Sequence, residues 1–140
     1  VIPTIISQLL DKSIKKIELG NVDTTRDFTH VSDVCNAIYE IFNSKFFLGK
    51  EVNIGSNQEI SIEDLYKKIT NILKIQKKIK IVKYRKRKNT SEVTRLLCDN
   101  KLILEETNWK PKTSLTKGLK KTIQWIKKNQ YSYNSKFYNI

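Results

Sequence analysis

Four arginines among 27 basic side chains are the most informative charges in this 140-residue chain. A guanidinium presents planar, paired donors suited to phosphate oxygens, whereas a lysine ammonium is a less directional point charge. Arg26 falls in a turn before a short β-favouring segment, and Arg85, Arg87 and Arg95 fall in or beside one polar loop. Two separated loops could therefore converge on one anion. The alternative is surface pairing of these arginines with Asp27, Asp33 or Glu92, and Asp27 could equally orient Arg26. His30 is the only histidine, which excludes His-rich metal sites and paired-His mechanisms, and no cysteine cluster replaces them. Gly20, Gly49, Gly55 and Gly118 never approach a GxGxxG or Walker A spacing, so no phosphate-cradling glycine loop is recognisable. Tyr84 to Lys88 matches Y-x-x-x-K, which on a helix sets a phenol one turn from a lysine. The preceding residues read as strand and the run is rich in lysine, so the match is rejected as catalytic.

The elements that would position these residues follow from periodicity. Ile5, Ile6, Leu9 and Leu10 recur at helical spacing after Pro3. KKIEL at 15–19 alternates and stops at Gly20-Asn21, a strand and turn. DFTHV at 27–31 favours strand, and Ser32-Asp33 caps a helix whose face is Val34, Ile38, Ile41 and Phe42. KEVNI at 50–54 predicts a short strand closed by the turn Gly55-Ser56-Asn57. Ser61-x-x-Asp64 approximates a capping box before a helix with Ile62, Leu65, Ile69, Ile72 and Leu73 inward, ending near Lys74. Ile79 to Val82 alternate as a half-exposed strand, 84–92 is polar loop, and Arg95 to Cys98 is a short apolar run. A helix from about Asn100 to Thr107 and another capped by Ser114, with Leu115, Leu119, Ile123 and Ile126 inward, complete the ordered part. Interleaved helices and short strands suit a small mixed α/β lobe better than a complete doubly wound domain.

The net charge of +13 is local: residues 67–88 carry 11 basic side chains and no acid. Lys67, Lys68 and Lys74 fall on the polar side of a helix and Lys78, Lys80 and Lys83 alternate outward, which reads as a solvated face. A nucleic-acid-binding module is the rival, although only Tyr84 offers a stacking platform within the run. With 39% apolar residues the chain can bury a real core. No stretch approaches the roughly 18 apolar residues of a membrane span, and no secretory leader is readable. Cys35 and Cys98 stand alone in apolar surroundings and read as reduced, buried cysteines of a cytoplasmic protein, a disulfide or metal site being the alternative. Methionine is absent, and Val1-Ile2-Pro3 runs straight into a helical pattern, as though a larger protein had been entered partway. The expectation is a fragment.

Several stretches, taken in order, carry a resemblance: T25-R-D-F-x-H-V-x-D-V, E51-V-N-I-G-S, S61-I-E-D-L, R85-x-R-x-x-x-S-E-V-x-R-L-x-x-D-N and N108-W-K-P-K-x-S-L-x-x-G-L-x-x-T-I-x-W. Together they resemble the C-terminal half of extended short-chain dehydrogenase/reductases, the NAD-dependent nucleotide-sugar epimerases and dehydratases, over nearly all of residues 1–129. The stretch from Ser91 to Asn100 looks most like the 4,6-dehydratases acting on UDP-N-acetyl amino sugars in pathways to nonulosonic acids such as legionaminic acid. The resemblance implies a small mixed α/β substrate-binding lobe at 1–129, lacking most or all of the Rossmann domain, with an irregular tail at 130–140. It implies that Arg26 and Arg87 contact the substrate diphosphate, although Lys88 stands where the family has proline. It also implies that Asn53 is a substrate-side residue, and that Ile17 to Leu19 lie where the family lines the base and ribose pocket. Asn108 replaces a glycine at a position expected to end a helix in a left-handed conformation. Val31, Val34, Trp109 and Trp125 read as core.

NAD and the catalytic Thr/Ser, Tyr and Lys set belong, by the same resemblance, to the N-terminal half. No catalytic, cofactor or metal residue is therefore assigned in this chain, and it is not expected to be active alone. The expected ligand is a UDP-sugar. A separate Rossmann chain could complement it, and the family's homodimer contact is made by helices outside it. A 4-epimerase or decarboxylase is the alternative within the superfamily.

Overall fold

The computed structural model describes residues 1–86 and 92–132. These divide between two compact units, one drawn from Val1–Thr24, Ser61–Val93 and Leu119–Ile140, the other from Thr25–Ile60 and Thr94–Gly118.

The first unit is built on two parallel strands, β1 (Lys16–Leu19) and β4 (Lys78–Ile81), with Ile17 opposite Ile79 and Leu19 opposite Ile81. Helices α1 (Ile2–Leu10) and α3 (Ile62–Leu73) pack on one another, and α1 also packs on β1. Ile5, Ile6, Ile17, Leu65 and Ile69 are fully buried, each contributing about 1.5–3 kcal/mol of transfer free energy. The buried side chain of Gln8 serves as a surrogate strand: Nε2 donates to the Glu18 carbonyl at 3.2 Å, and Oε1 accepts from the Glu18 N–H at 2.7 Å. The Lys77 ammonium donates to the Gln8 and Asp11 carbonyls, both at 2.7 Å, closing the C-terminal end of α1 with positive charge. Helix α3 starts as expected. Ser61 Oγ accepts from the Asp64 N–H at 3.0 Å and donates to its carboxylate at 2.8 Å, and Lys74 ends the helix in the left-handed region.

The second unit holds β2 (Thr25–Asp27), flanked by β3 (Glu59–Ser61) and β5 (Arg95–Leu96), the latter parallel to it. Helices α2 (Val31–Asn43) and α4 (Lys101–Glu106) supply Ala37 and Ile103, which with Trp109 form its core, and Ile41, Val52 and Ile54 pack around them. Helix α5 (Leu115–Lys128) begins in this unit, where Ser114 Oγ accepts from the Lys117 N–H at 3.3 Å. It then buries Leu119, Ile123 and Ile126 as its periodicity predicts.

Several expectations are corrected. DFTHV is not a strand: β2 ends at Asp27, and His30 rather than Ser32 caps α2, its Nδ1 accepting from the Ser32 N–H at 3.2 Å. Val31 thus becomes the first helical residue and is 67% exposed, outside the core. The inward face of α2 is Asp33 and Ala37, while Ile38 and Phe42 point to solvent at 56% and 86% exposure. KEVNI is not a strand: among the described residues no strand pairs with it. Asn108 is not left-handed; Thr107 ends α4 instead, its Oγ1 donating to the Ile103 carbonyl and accepting from the Trp109 N–H. Trp109 is buried as expected, but Trp125 is half exposed, since α5 turns its Leu119–Ile126 stripe inward and Trp125 lies off that stripe. Cys35 is exposed on α2 rather than buried, and both cysteines are free thiols.

Candidate functional site

Arg26 lies within β2 rather than in a turn before a strand, and this strand end is fixed from the side of Asp27. Asp27 accepts from the N–H groups of Ser56 and Asn57 at 3.1 and 2.8 Å and from the Ser56 hydroxyl. Asn57 reaches this position with φ of 55°, a left-handed conformation that asparagine tolerates better than most residues. The turn Gly55-Ser56-Asn57 is thereby clamped to the end of β2. Asn100, buried in the same unit, donates from Nδ2 to the Gly55 carbonyl at 2.8 Å. No room remains at Gly55: a Cβ there would stand 2.2 Å from the Cys98 Cβ and 2.5 Å from its Sγ. These contacts bring Arg26 and Asn53, far apart in sequence, to the two chain segments joined at one junction.

Arg26 itself is half-buried, and its Nη1 donates to the Thr25 carbonyl at 2.7 Å, which holds the guanidinium close to the strand. Strand alternation sends Thr25 to the opposite face. There its hydroxyl donates to Glu59 at 2.6 Å, and Glu59 also takes a bidentate contact from Arg95, Nη2 and Nε both at 2.8 Å from Oε1. Arg95 and Thr25 together hold the Glu59 carboxyl below its ordinary range. Arg95 is therefore an ion-pair residue of the surface kind, with Glu59 as its partner rather than Asp27, Asp33 or Glu92.

Asn53 is exposed between the half-buried Val52 and Ile54. Ile17 and Leu19 lie in the first unit with their side chains covered, as alternate core positions of β1. Arg87 falls outside the described residues. Tyr84 sits in a 3-10 turn, Lys83–Arg85, and its hydroxyl donates to Glu18; this placement agrees with its rejection as a catalytic phenol. Burial first, then the charges of Asp27 and Asp99, push the Cys98 thiol up, so it remains protonated at neutral pH and is a poor nucleophile. Among the described residues no His, Cys, Asp and Glu group could hold a metal ion, and no helix is long and apolar enough to cross a membrane.

Three of the four glycines serve close packing within the protein: Gly20 against the Arg85 backbone, Gly55 against Cys98 and Gly118 against His30. Gly49, in the left-handed region, has open space beside it.

Sequence reasoning missed the Asp27–Ser56 clamp, the Glu59 cluster and the Gln8 bracket. Only the first had a readable signal, an aspartate next to the informative arginine together with a Gly-Ser-Asn turn. Gln8 had none, because glutamine in an amphipathic helix ordinarily faces water.

The described elements form a small mixed α/β lobe that matches extended short-chain dehydrogenase/reductase structures over part of their length. The chain belongs to the GDP-mannose 4,6 dehydratase family, whose model matches residues 1–122. A putative UDP-glucose 4-epimerase of Methanocaldococcus jannaschii is 33% identical over 128 residues, covering 89% of this chain and 39% of the relative. The human dTDP-D-glucose 4,6-dehydratase is 29% identical over 139 residues, covering 96% and 39%. The crystal structure of dTDP-glucose 4,6-dehydratase from Bacillus anthracis in complex with NAD superimposes with a TM-score of 0.80 at 29% identity, over 94% of this chain and 40% of that one. The chain thus spans about 40% of the length of the relatives it matches.

Proposed function

We propose that this chain is the nucleotide-sugar-binding part of an NAD-dependent nucleotide-sugar 4,6-dehydratase. In this reading it holds the diphosphate of a UDP-sugar while a dinucleotide-binding part, outside the span matched here, carries out oxidation, elimination and reduction. The observation that supports it is Arg26, half-buried in β2 next to the aspartate that the Ser56 and Asn57 N–H groups clamp. An arginine set in this way contributes binding and positioning rather than chemical acceleration of its own. By the resemblance alone Arg87 is a second diphosphate contact, and it lies outside the described residues. The M. jannaschii relative, named a putative epimerase, makes 4-epimerisation the second reading.

Calorimetric titration of the chain with UDP-N-acetylglucosamine, before and after Arg26→Ala, tests the proposal. Binding weakened at least tenfold by the substitution is the expected result. In an assembled enzyme the same change should raise KM with kcat nearly unchanged. Indifference of binding to Arg26→Ala, or nanomolar affinity for nucleic acid with a steep salt slope, would sink it.

A further inference from the structure

Past Gly118, helix α5 turns outward a face whose charge has a single sign. Leu119, Ile123 and Ile126 take the buried side, and the helical period sets Lys121, Trp125 and Lys128 opposite them, at four- and three-residue steps. Lys120 and Lys127 flank this row on one side, and all four lysines are exposed. Trp125 is 52% exposed, and Tyr131, in the turn that follows the helix, is 87% exposed. Asn129 ties the two aromatic positions together: its Nδ2 donates to the Trp125 carbonyl at 2.9 Å, and its Oδ1 accepts from the Tyr131 hydroxyl at 3.2 Å. All of these residues belong to the first unit.

Two ordinary roles leave the face unexplained. Lysines in a last turn answer the negative end of the helix dipole, which accounts for Lys127 and Lys128, but that effect fades within a turn and does not reach Lys120 or Lys121. Nor do carboxylates neutralise the row. Among the described residues none pairs with these four lysines, whereas Lys67 pairs with Glu63 and Asp64, and Lys80 with Glu18. No acidic residue follows Glu106 in the sequence. Asp11 shares a cleft with Lys12, Ile126 and Gln130 beside the end of the helix, and its carboxylate is engaged by the Ser13 N–H and hydroxyl at 2.8 and 2.7 Å.

The chemistry of the face selects its occupant. Ammonium groups on flexible stems, with no arginine among them, attract a negative surface without demanding a fixed acceptor geometry. Indole and phenol rings set among such lysines have one apolar and one wet end, the combination that settles at the level of lipid headgroups. A helix face is convex and suits a broad, flat partner, whereas a nucleic-acid strand is held in a basic groove that tracks its backbone. We propose that the outward face of α5 docks on an anionic phospholipid bilayer. Lys120, Lys121, Lys127 and Lys128 meet the headgroup phosphates and carboxylates, and Trp125 and Tyr131 enter the interface. The docking is peripheral, since among the described residues no helix is long and apolar enough to cross a membrane. It stands independently of the proposed sugar-nucleotide site, whose Arg26 belongs to the other unit.

Cosedimentation of the full chain with vesicles equimolar in phosphatidylcholine and phosphatidylserine, at low ionic strength, tests the proposal. Expected are binding at least tenfold tighter than to phosphatidylcholine alone, release as added salt screens the charges, and a blue shift of tryptophan emission that Trp125→Phe removes. Lys121→Gln combined with Lys128→Gln should weaken binding at least tenfold and leave the unfolding midpoint unchanged, both side chains being exposed. Lys67→Gln combined with Lys80→Gln removes the same charge from lysines already ion-paired, and should change binding by less than about twofold. Equal losses from the two pairs would show that net charge alone attracts the chain, and overturn the proposal. Absence of binding to the anionic vesicles, or tighter binding to single- or double-stranded DNA at the same salt concentration, overturns it as well.

Discussion

Asp33 and Thr113, 80 residues apart, are joined by two hydrogen bonds: the Thr113 N–H donates to Oδ2 at 2.8 Å, and its hydroxyl lies 3.1 Å from Oδ1. The Asp33 side chain is buried in the first turn of α2, where a carboxylate is also favoured by the helix dipole. Its carbonyl takes the indole N–H of Trp109 at 2.8 Å. One residue thereby fixes the W-K-P-K-T segment against α2.

Replacing Asp33 with Ala leaves the Thr113 N–H without its partner. A loss of about 2–3 kcal/mol is expected, read as a lowered urea midpoint, with Asp33→Asn retaining part of it.

Gly55→Ala places a methyl inside the van der Waals envelope of Cys98. The expected cost is about 1–3 kcal/mol, as for other overpacked sites. Because the Cys98 Cβ is the nearest atom, Cys98→Gly in the same chain should recover much of the loss, whereas Cys98→Ser should not. A double-mutant cycle on the unfolding free energy checks this coupling.

Gln8→Ala removes both halves of the bracket on Glu18 and leaves that residue's N–H and carbonyl unpaired beside the core. A loss of about 3 kcal/mol is expected. Hydrogen exchange at Glu18 should rise well before exchange in α3 if the bracket, rather than general packing, is what fails.

The Glu18 carboxyl is held below its ordinary value of 4.5, chiefly by the Tyr84 hydroxyl and then by Lys80. A depressed carboxyl stabilises the fold above its unfolded value and loses that contribution as pH falls through its folded value. Glu18→Gln should therefore cost under about 1 kcal/mol at neutral pH, as befits a partly exposed pair, and progressively less below pH 4.5. Urea midpoints of the two proteins should converge once the folded carboxyl is protonated. A gap independent of pH would show that packing, not charge, is responsible.

Where a signal is local, sequence and structure agree closely. The capping box at Ser61, the helix end near Lys74 and the Leu119, Ile123, Ile126 stripe of α5 need only neighbours within a few turns, and each is realised. The family, too, was legible, from ordered motifs such as R-D-F-x-H-V and V-N-I-G-S. Arg26 was singled out by its type and by the resemblance; its hydrogen bond to the Thr25 carbonyl was not legible.

Local pattern specifies that a segment is amphipathic, but not which surface will cover it. The apolar residues of α2 therefore read as a core stripe, while the tertiary structure buries Asp33 and Ala37 and leaves Ile38 and Phe42 in solvent. KEVNI has the alternation of a strand, yet a ladder requires a second backbone, and among the described residues no strand pairs with it. The same limit applies to Gln8, Asp27 and Asp33, whose partners lie 10, 29 and 80 residues away. Periodicity and capping are free energies of neighbouring residues and can be read along the chain; pairing across distance depends on what the completed packing brings together.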